Sequence, residues 1–190
     1  MSQEDKEFLN LAGEIAVASE LNRRQIPASV TYGASKRADV FAMNRDMTSV
    51  VRIEVKAATP KRQTRWLIGK KGTSPRHVPA GILWVFVLFP PSPNNDDQRA
   101  DEVQRGAHAP RFFALTQKEV YQAFKKESED YNRRRKEQGK GPFEGLGVPG
   151  VRLADIERHE GKWQKIKLHL QSPLDAPRGT QKQDPKRMSP

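Results

Sequence analysis

The chain has 190 residues and carries 34 Lys and Arg against 23 Asp and Glu, so its net charge of +11 favours a nucleic-acid partner over a basic protein without that role. It contains no cysteine, which excludes disulfide scaffolds and thiolate zinc sites. The longest apolar run, 82–89, is too short to span a bilayer and the N-terminus lacks an apolar signal segment, so we expect an intracellular, cytoplasmic protein with no membrane partner.

The first predicted element is an amphipathic helix over residues 4–24, which Pro27 brings to an end. Glu14 shares the apolar stripe of this helix. A carboxylate on such a stripe needs a partner or a function, unless it lies at the edge of the stripe and reaches water. The apolar members of the stripe are Phe8, Leu11, Ile15, Ala18 and Leu21.

Three strands are predicted next, over 29–32, 38–43 and Val50–Ala58. The second and third are joined by a short polar segment, which predicts an antiparallel hairpin. Asp39 lies at the beginning of the second strand. It is therefore expected near Glu54 of the third strand, at the same end of the pair or on adjacent positions of one face.

The third strand contains the sequence Arg-Ile-Glu-Val-Lys at residues 52–56. Side chains alternate between the two faces of a strand, so Glu54 and Lys56 point the same way and the intervening apolar residues face the core. The hairpin is thus predicted to bring two acids and a cation together on a rigid platform. The alternative is a solvated strand face on which Glu54 and Lys56 make an ordinary salt bridge.

A basic segment follows, because residues 60–76 contain six cations and no acid. We interpret Trp66 in its middle as part of a small strand that packs on the core together with Leu67. The charges of this segment, and of the turn before Asp39, are typical of a phosphate-binding surface. The predicted nucleic-acid contacts are Ser35, Lys36, Arg37, Lys61, Arg62, Arg65, Lys70, Lys71 and Arg76.

The second half of the predicted core begins with a buried strand over 82–89, followed by a mobile polar loop over 92–110 and a strand over 111–115. Thr116 and Glu119 then form a capping-box pattern, which predicts a helix that ends at about residue 129.

The predicted domain organisation is a single domain over residues 1–171 with two basic loops, at 60–76 and 130–150. The second of these could also be a helix extension. Residues 172–190 are rich in proline and poor in apolar residues, so they are predicted to be a disordered tail.

The chemistry that this pattern favours is phosphodiester hydrolysis. A hard divalent ion such as Mg²⁺, for which Mn²⁺ substitutes, can offset the charge of the transition state and takes oxygen ligands. Asp39, Glu54 and the carbonyl of Val55 are the predicted ligands, and Glu14 would add a third carboxylate. Lys56 would lie near the attacking water or the phosphate.

The order of these residues resembles the PD-(D/E)XK nuclease superfamily, which has the fold of restriction endonucleases and of archaeal-type Holliday junction resolvases. The resemblance covers about residues 8–90 and is strongest to the small resolvase-like group. There too a helix glutamate, matched by Gly13-Glu14, precedes the Asp and the Glu-X-Lys, and a serine, matched by Ser35, can lie in the turn before the Asp. Ala38 stands where the motif often has Pro.

The resemblance implies an α/β, restriction endonuclease-like fold with a central mixed β-sheet flanked by helices. It also implies a Mg²⁺-dependent endodeoxyribonuclease, structure-selective or restriction-like, that acts on DNA rather than RNA. Resolvases act as symmetric homodimers because a junction needs two cuts, but no dimer face is evident in the sequence. Two alternatives stay open: a non-catalytic nucleic-acid-binding protein that keeps the nuclease fold, and a basic interaction protein without nucleic-acid chemistry.

Overall fold

The structure is a computed structural model that describes residues 2–32, 38–60, 64–73, 82–90, 109–141 and 149–171. The described residues form helices, strands and a 3₁₀ turn. In order they are α1 (Gln3–Arg23), β1 (Ala28–Val30), β2 (Val40–Met43), β3 (Val50–Ala58), β4 (Arg65–Leu67), α2 (Gly69–Gly72), β5 (Ile82–Leu88), β6 (Arg111–Thr116), α3 (Gln117–Glu137), β7 (Gly150–Arg152), α4 (Leu153–Ile156), a 3₁₀ turn (Glu157–His159) and α5 (Gln164–Gln171).

Five strands form the central sheet in the order β1-β2-β3-β5-β6. The β3–β5 pair is parallel and the other pairs are antiparallel. This arrangement confirms the predicted α/β class, the mixed sheet with flanking helices and the β2–β3 hairpin. A second, two-stranded sheet pairs β4 with β7.

One face of the central sheet packs against α1 and α5. Val17 and Leu21 of α1 and Ile166 of α5 lie in the same buried cluster as Ile53 and Val55 of β3. The apolar side of β3 therefore faces α1.

The opposite face packs against α3 and the small β4–β7 sheet. Trp66 of β4 is buried among residues such as Phe86 of β5 and Phe113 of β6, and its Nε1–H donates to the carbonyl of Val87 at 3.2 Å. The predicted small strand is confirmed, because β4 spans Trp66 and Leu67, and Trp66 packs on the core as expected, whereas Leu67 is exposed.

Helix α1 comes very close to β3 at Gly13. A Cβ atom at this position would lie 2.7 Å from the Cβ of Ala57 and 3.5 Å from Cγ1 of Val55. Only glycine permits this separation without displacement of one backbone. The close approach seats the next residue, Glu14, against the sheet, where it is buried.

The predicted apolar stripe of α1 is wrong in its N-terminal half. Phe8, Leu11 and Ile15 are exposed, whereas Gly13, Glu14 and Val17 are buried. The buried face is set by the contact between Gly13 and β3 and not by the largest apolar side chains. The interpretation that Glu14 reaches water from the edge of a stripe is therefore contradicted.

Helix α3 begins as predicted and ends later than predicted. The side chain of Thr116 accepts from the N–H of Glu119, and the carboxylate of Glu119 accepts from the N–H of Thr116, so the capping box is confirmed. The helix continues past residue 129 to Glu137. Its extension is tied to β7, because Asp130 accepts a 2.6 Å hydrogen bond from Arg152.

Several predictions concern residues that lie outside the described part of the chain. They are the turn at 33–37, residues 61–63 and 74–76 of the basic segment, most of the polar loop, residues 142–148 and the predicted tail at 172–190. Among the described helices, none is both long enough and apolar enough to cross a membrane.

Candidate functional site

Asp39 lies directly before β2, at the open end of the β2–β3 hairpin. Its N–H donates to the carbonyl of Ile53 at 3.0 Å, and its carbonyl accepts from the N–H of Thr31 at 3.0 Å. Its carboxylate Oδ2 accepts from the N–H of Val55 at 2.8 Å. The Asp39 carboxylate thus accepts a hydrogen bond of β3 that a backbone carbonyl of a paired strand would ordinarily accept. Asp39 is only 9% exposed.

A pocket of about 360 Å³ opens beside Asp39. It brings together four of the residues predicted for the site, since Glu14, Asp39, Val55 and Lys56 all line it. Glu14 is 6% exposed, so two buried carboxylates from different elements border one cavity. The other lining residues are Glu7, Asn10, Leu11, Thr31 and Tyr32.

Glu54, the remaining predicted residue, does not line this pocket. It pairs with Trp84 across the β3–β5 ladder, and Trp84 belongs to the core on the α3 side of the sheet. Because side chains alternate along β3, Glu54 points away from α1, whereas Val55 points toward it. The sheet therefore separates Glu54 from Glu14.

Two lysines hold the Glu54 carboxylate on that face. Lys56 Nζ lies 2.9 Å from Oε1 and Lys71 Nζ lies 2.9 Å from Oε2. Burial alone would raise the pKa of Glu54, but the charges and hydrogen bonds of the two ammonium groups lower the pKa below its ordinary value. The predicted alternative, a salt bridge between Glu54 and Lys56, is therefore present in the structure, with a buried Glu54 side chain and a Lys56 side chain that is 27% exposed.

The three predicted carboxylates are not gathered into one ligand set. Within the described ranges, no three His, Asp or Glu side chains form a group that could hold a metal ion. Asp39 and Glu14 share the pocket, and Glu54 remains with its lysines.

The donors that do share the pocket fit a hydrated Mg²⁺. This ion keeps several waters and is usually bound by only one or two carboxylates. Glu14 and Asp39 supply two, and both side chains are buried at the pocket wall. In an extended strand, a residue directs its N–H and C=O to the same neighbour, so the carbonyl of Val55 lies on the Asp39 side of β3.

Lys56 is in contact with both faces of the sheet. It shares the Glu54 side of β3 and lies over the ring of Trp84, with Nζ 5.9 Å from the ring centroid, yet it also lines the pocket of Glu14 and Asp39. β2 begins at Val40, which pairs with Ile53, so within the described residues the part of β3 that contains Lys56 has no partner in β2. The Lys56 ammonium itself is paired with Glu54 in this structure.

The structure describes three of the predicted nucleic-acid contacts. Arg65 pairs with Glu127 of α3, so part of its charge is neutralised within the protein. Lys70 and Lys71 are both exposed on α2, and Lys71 contacts Glu54. Ser35, Lys36, Arg37, Lys61, Arg62 and Arg76 lie outside the described residues.

Two contributors were not anticipated from the sequence. Tyr32 lines the pocket and is exposed, and its place two residues after β1 is the only local signal for it. Gln117 links α2 to the sheet, because its Nε2 donates to the carbonyl of Lys71 at 2.7 Å while its Oε1 accepts from Trp84 Nε1 at 2.6 Å. Nothing in the sequence around Gln117 indicates this role.

Comparisons of the chain with protein-family models, with curated proteins and with solved structures found no match.

Proposed function

We propose that the protein is a metal-dependent endonuclease that hydrolyses phosphodiester bonds in DNA. One observation carries the proposal: the buried carboxylates of Glu14 and Asp39 line a single pocket together with Val55 and Lys56. Buried carboxylates that share a pocket repel one another unless a cation is present. An oxygen-rich pocket beside a lysine is what a divalent ion and a phosphate together require.

Each residue has a role in this proposal that follows from its place. Asp39 and Glu14 orient the divalent ion, which supplies Lewis-acid charge to the scissile phosphate when it is bound. The hydrogen bond from Val55 keeps the Asp39 carboxylate in one orientation. Lys56 neutralises charge that develops on the phosphate, as a compact cation at the pocket wall.

A polyanionic substrate is supported by the charge of the chain. The net charge is +11, which attracts a phosphate backbone over long distances. Lys70 is exposed next to the Glu54 face, and the exposed end of α3 carries Arg134 and Lys136. These cations are exposed on the α3 side of the sheet, where a phosphate backbone can contact them.

A second candidate is a non-catalytic nucleic-acid-binding protein that keeps a nuclease-like arrangement. The observation in its favour is that Glu54 is saturated by Lys56 and Lys71 and lies on the other face of the sheet from Glu14. Such a protein would bind DNA in a salt-sensitive manner and would not cut it.

The two candidates are separated by a cleavage panel. Purified protein is incubated with Mg²⁺, Mn²⁺ or EDTA and with labelled duplex, single-stranded, flap and four-way-junction DNA, and with RNA. The endonuclease proposal expects cleavage of at least one DNA substrate that EDTA abolishes. Salt-sensitive binding without cleavage in either metal would support the second candidate instead.

A further inference from the structure

Helix α1 carries a row of apolar side chains on its solvent side. Phe8 is 65% exposed and Ile15 is 50% exposed, although the same helix packs on the sheet through Val17. At about 100° per residue, four exposed positions fall within about 60° of one another and form what we call the outer stripe: Phe8, Ala12, Ile15 and Ser19. Large apolar side chains in such a row on a soluble protein mark a surface that a partner covers.

Large and small side chains alternate along the outer stripe, and this makes the stripe complementary to itself. If a second copy of α1 lies antiparallel with Phe8 opposite Ser19 of the second copy, Ile15 falls opposite Ala12 of the second copy. Twofold symmetry repeats each of these pairs. Facing layers that pair a large with a small side chain interdigitate without overlap, as in packed helix pairs.

A cleft beside the stripe enlarges the apolar contact. It has a volume of about 590 Å³ and is lined by Ala16 and Ser19 of α1 and by Phe112 of β6. Phe112 packs against the buried cluster of the sheet, so its ring is firmly placed. In the antiparallel register, the Phe8 ring of the second copy lies next to Ser19 and can enter this cleft.

The charges at the two ends of α1 favour the same arrangement. The first turn of the helix is acidic and includes Asp5, whereas the last turn contains Arg23. In the antiparallel register, Asp5 lies within about 1.5 Å, the rise of one residue, of the level of Arg23 of the second copy. The Arg23 side chain is 71% exposed and uses two of its five N–H donors on Glu20, so it can also bind a second carboxylate. A parallel pair would instead bring the two acidic turns together.

The segments of the chain outside the described ranges match this surface less well. The two longest, 91–108 and 172–190, contain only Val103, Leu174 and Met188 as large apolar residues. Residues 142–148 contain more, but they connect α3 to β7, and both of these elements pack on the opposite face of the sheet. A second copy supplies both the apolar row and the matching charges.

We propose that α1 is the interface of a symmetric homodimer in which the outer stripes of two copies pack antiparallel. The inference does not depend on the proposed function. A twofold axis that relates two antiparallel helices runs perpendicular to them, so it keeps corresponding flanks of the two helices on one side of the pair. Glu7 and Glu14 lie on one flank of α1 and line the pocket of Asp39. The two pockets of the dimer would therefore open on the same side.

Sedimentation velocity of the full chain, without DNA or divalent ions, tests the interface over concentrations from about 1 to about 200 μM. The wild type is expected to dimerise with a dissociation constant on the order of 10 μM, because one helix per subunit is a small interface. Phe8→Gln and Ile15→Gln are each expected to weaken dimerisation by at least about tenfold, since each residue occurs twice in the interface. Leu67→Gln is the matched control and is expected to match the wild type, because it removes a 55% exposed apolar side chain from the other face of the sheet.

A variant that adds apolar surface separates this register from non-specific association. Ser19→Phe enlarges the exposed apolar area of α1, which would strengthen non-specific association. In the proposed register the new ring occupies the place of Phe8 of the second copy, so dimerisation is expected to weaken by at least about tenfold. Far-ultraviolet circular dichroism checks that each variant keeps its helix content.

Three results would overturn the inference: a wild type that stays monomeric over the whole range, equal dimerisation of wild type and both glutamine variants of α1, or tighter association of Ser19→Phe. The same samples distinguish the interface from the proposed function. A wild type that dimerises through α1 but cuts no DNA keeps the interface and contradicts the nuclease, whereas a wild type that cuts DNA and stays monomeric does the reverse.

Discussion

The carboxylate of Asp39 accepts a 2.8 Å hydrogen bond from the backbone N–H of Val55, the residue between Glu54 and Lys56. A side chain at the end of β2 thereby completes the hydrogen bonding of β3. The contact is buried and fixes the Asp39 side chain against β3 at the open end of the hairpin. Asp39 also lines the pocket that Glu14 lines. Different substitutions of Asp39 can separate its contribution to stability from its proposed role in cleavage.

Asp39→Ala is expected to lower the free energy of unfolding by about 1–3 kcal/mol, because it leaves the buried N–H of Val55 without its acceptor. Asp39→Asn keeps an amide oxygen in the same place and is expected to cost less than half of that amount. Urea unfolding followed by circular dichroism measures both. Equal losses in the two variants would show that the hydrogen bond does not stabilise the hairpin.

Gly13→Ala is expected to destabilise the protein even though alanine is the better helix former. The added Cβ would lie 2.7 Å from the Cβ of Ala57, so α1 must move away from β3, at a cost of about 1–3 kcal/mol. Gly141→Ala is the control, since its Cβ would meet nothing within 4 Å. Thermal unfolding of the two variants provides the comparison. A Gly13 variant as stable as the Gly141 variant would contradict the close packing of α1.

The ion pairs of Glu54 predict how acid affects stability. Lys56 and Lys71 hold the pKa of Glu54 below its ordinary value of 4.5, so the unfolded chain takes up a proton first as the pH falls. The stabilisation is therefore fully present above about pH 4.5 and is lost as the pH falls through the lower pKa of the folded protein. The difference in unfolding free energy between wild type and Glu54→Gln should shrink over that range. A difference that stays constant from neutral to acidic pH would count against these pairs.

His159 predicts a second and separate pH effect. Burial lowers its pKa below the ordinary value of 6.5, and the nearby Lys165 lowers it further, while Glu119 acts in the opposite direction. The unfolded chain binds a proton at this histidine before the folded protein does. Stability is therefore expected to fall as the pH drops below about 6.5. The effect is measured by the unfolding midpoints of wild type and His159→Gln from about pH 8 to about pH 5, the range over which histidine titrates. Parallel curves for the two proteins would refute it.

Local patterns predicted the elements better than their relative placement. The bounds of β3 and the capping box at Thr116 follow from alternation and from side chain-to-backbone hydrogen bonding, both of which act over a few residues. The buried face of α1 did not follow from its apolar residues, because the approach at Gly13 is a tertiary contact that only the packed structure reveals.

The same limit applies to the candidate site. Alternation correctly placed Glu54 and Lys56 on one face of β3, but it contains no information about which face α1 covers. The sequence therefore favoured three converging carboxylates, whereas the structure joins Glu14 to Asp39 and leaves Glu54 with Lys71. The contact with Lys71 depends on Gln117 and Trp84, residues far apart in sequence, and no spacing rule predicts it.

The most direct test of the account is metal-dependent cleavage of DNA by the wild type and by variants of the two carboxylates in the pocket. With Mg²⁺ present, Glu14→Gln and Asp39→Asn are each expected to lower the single-turnover cleavage rate by at least about a hundredfold, as the loss of one group that stabilises transition-state charge typically does. Glu4→Gln, an exposed acid on the same helix as Glu14, is the matched control and is expected to cleave at the wild-type rate. Wild-type rates in both pocket variants, or no cleavage by the wild type in either Mg²⁺ or Mn²⁺, would contradict the account.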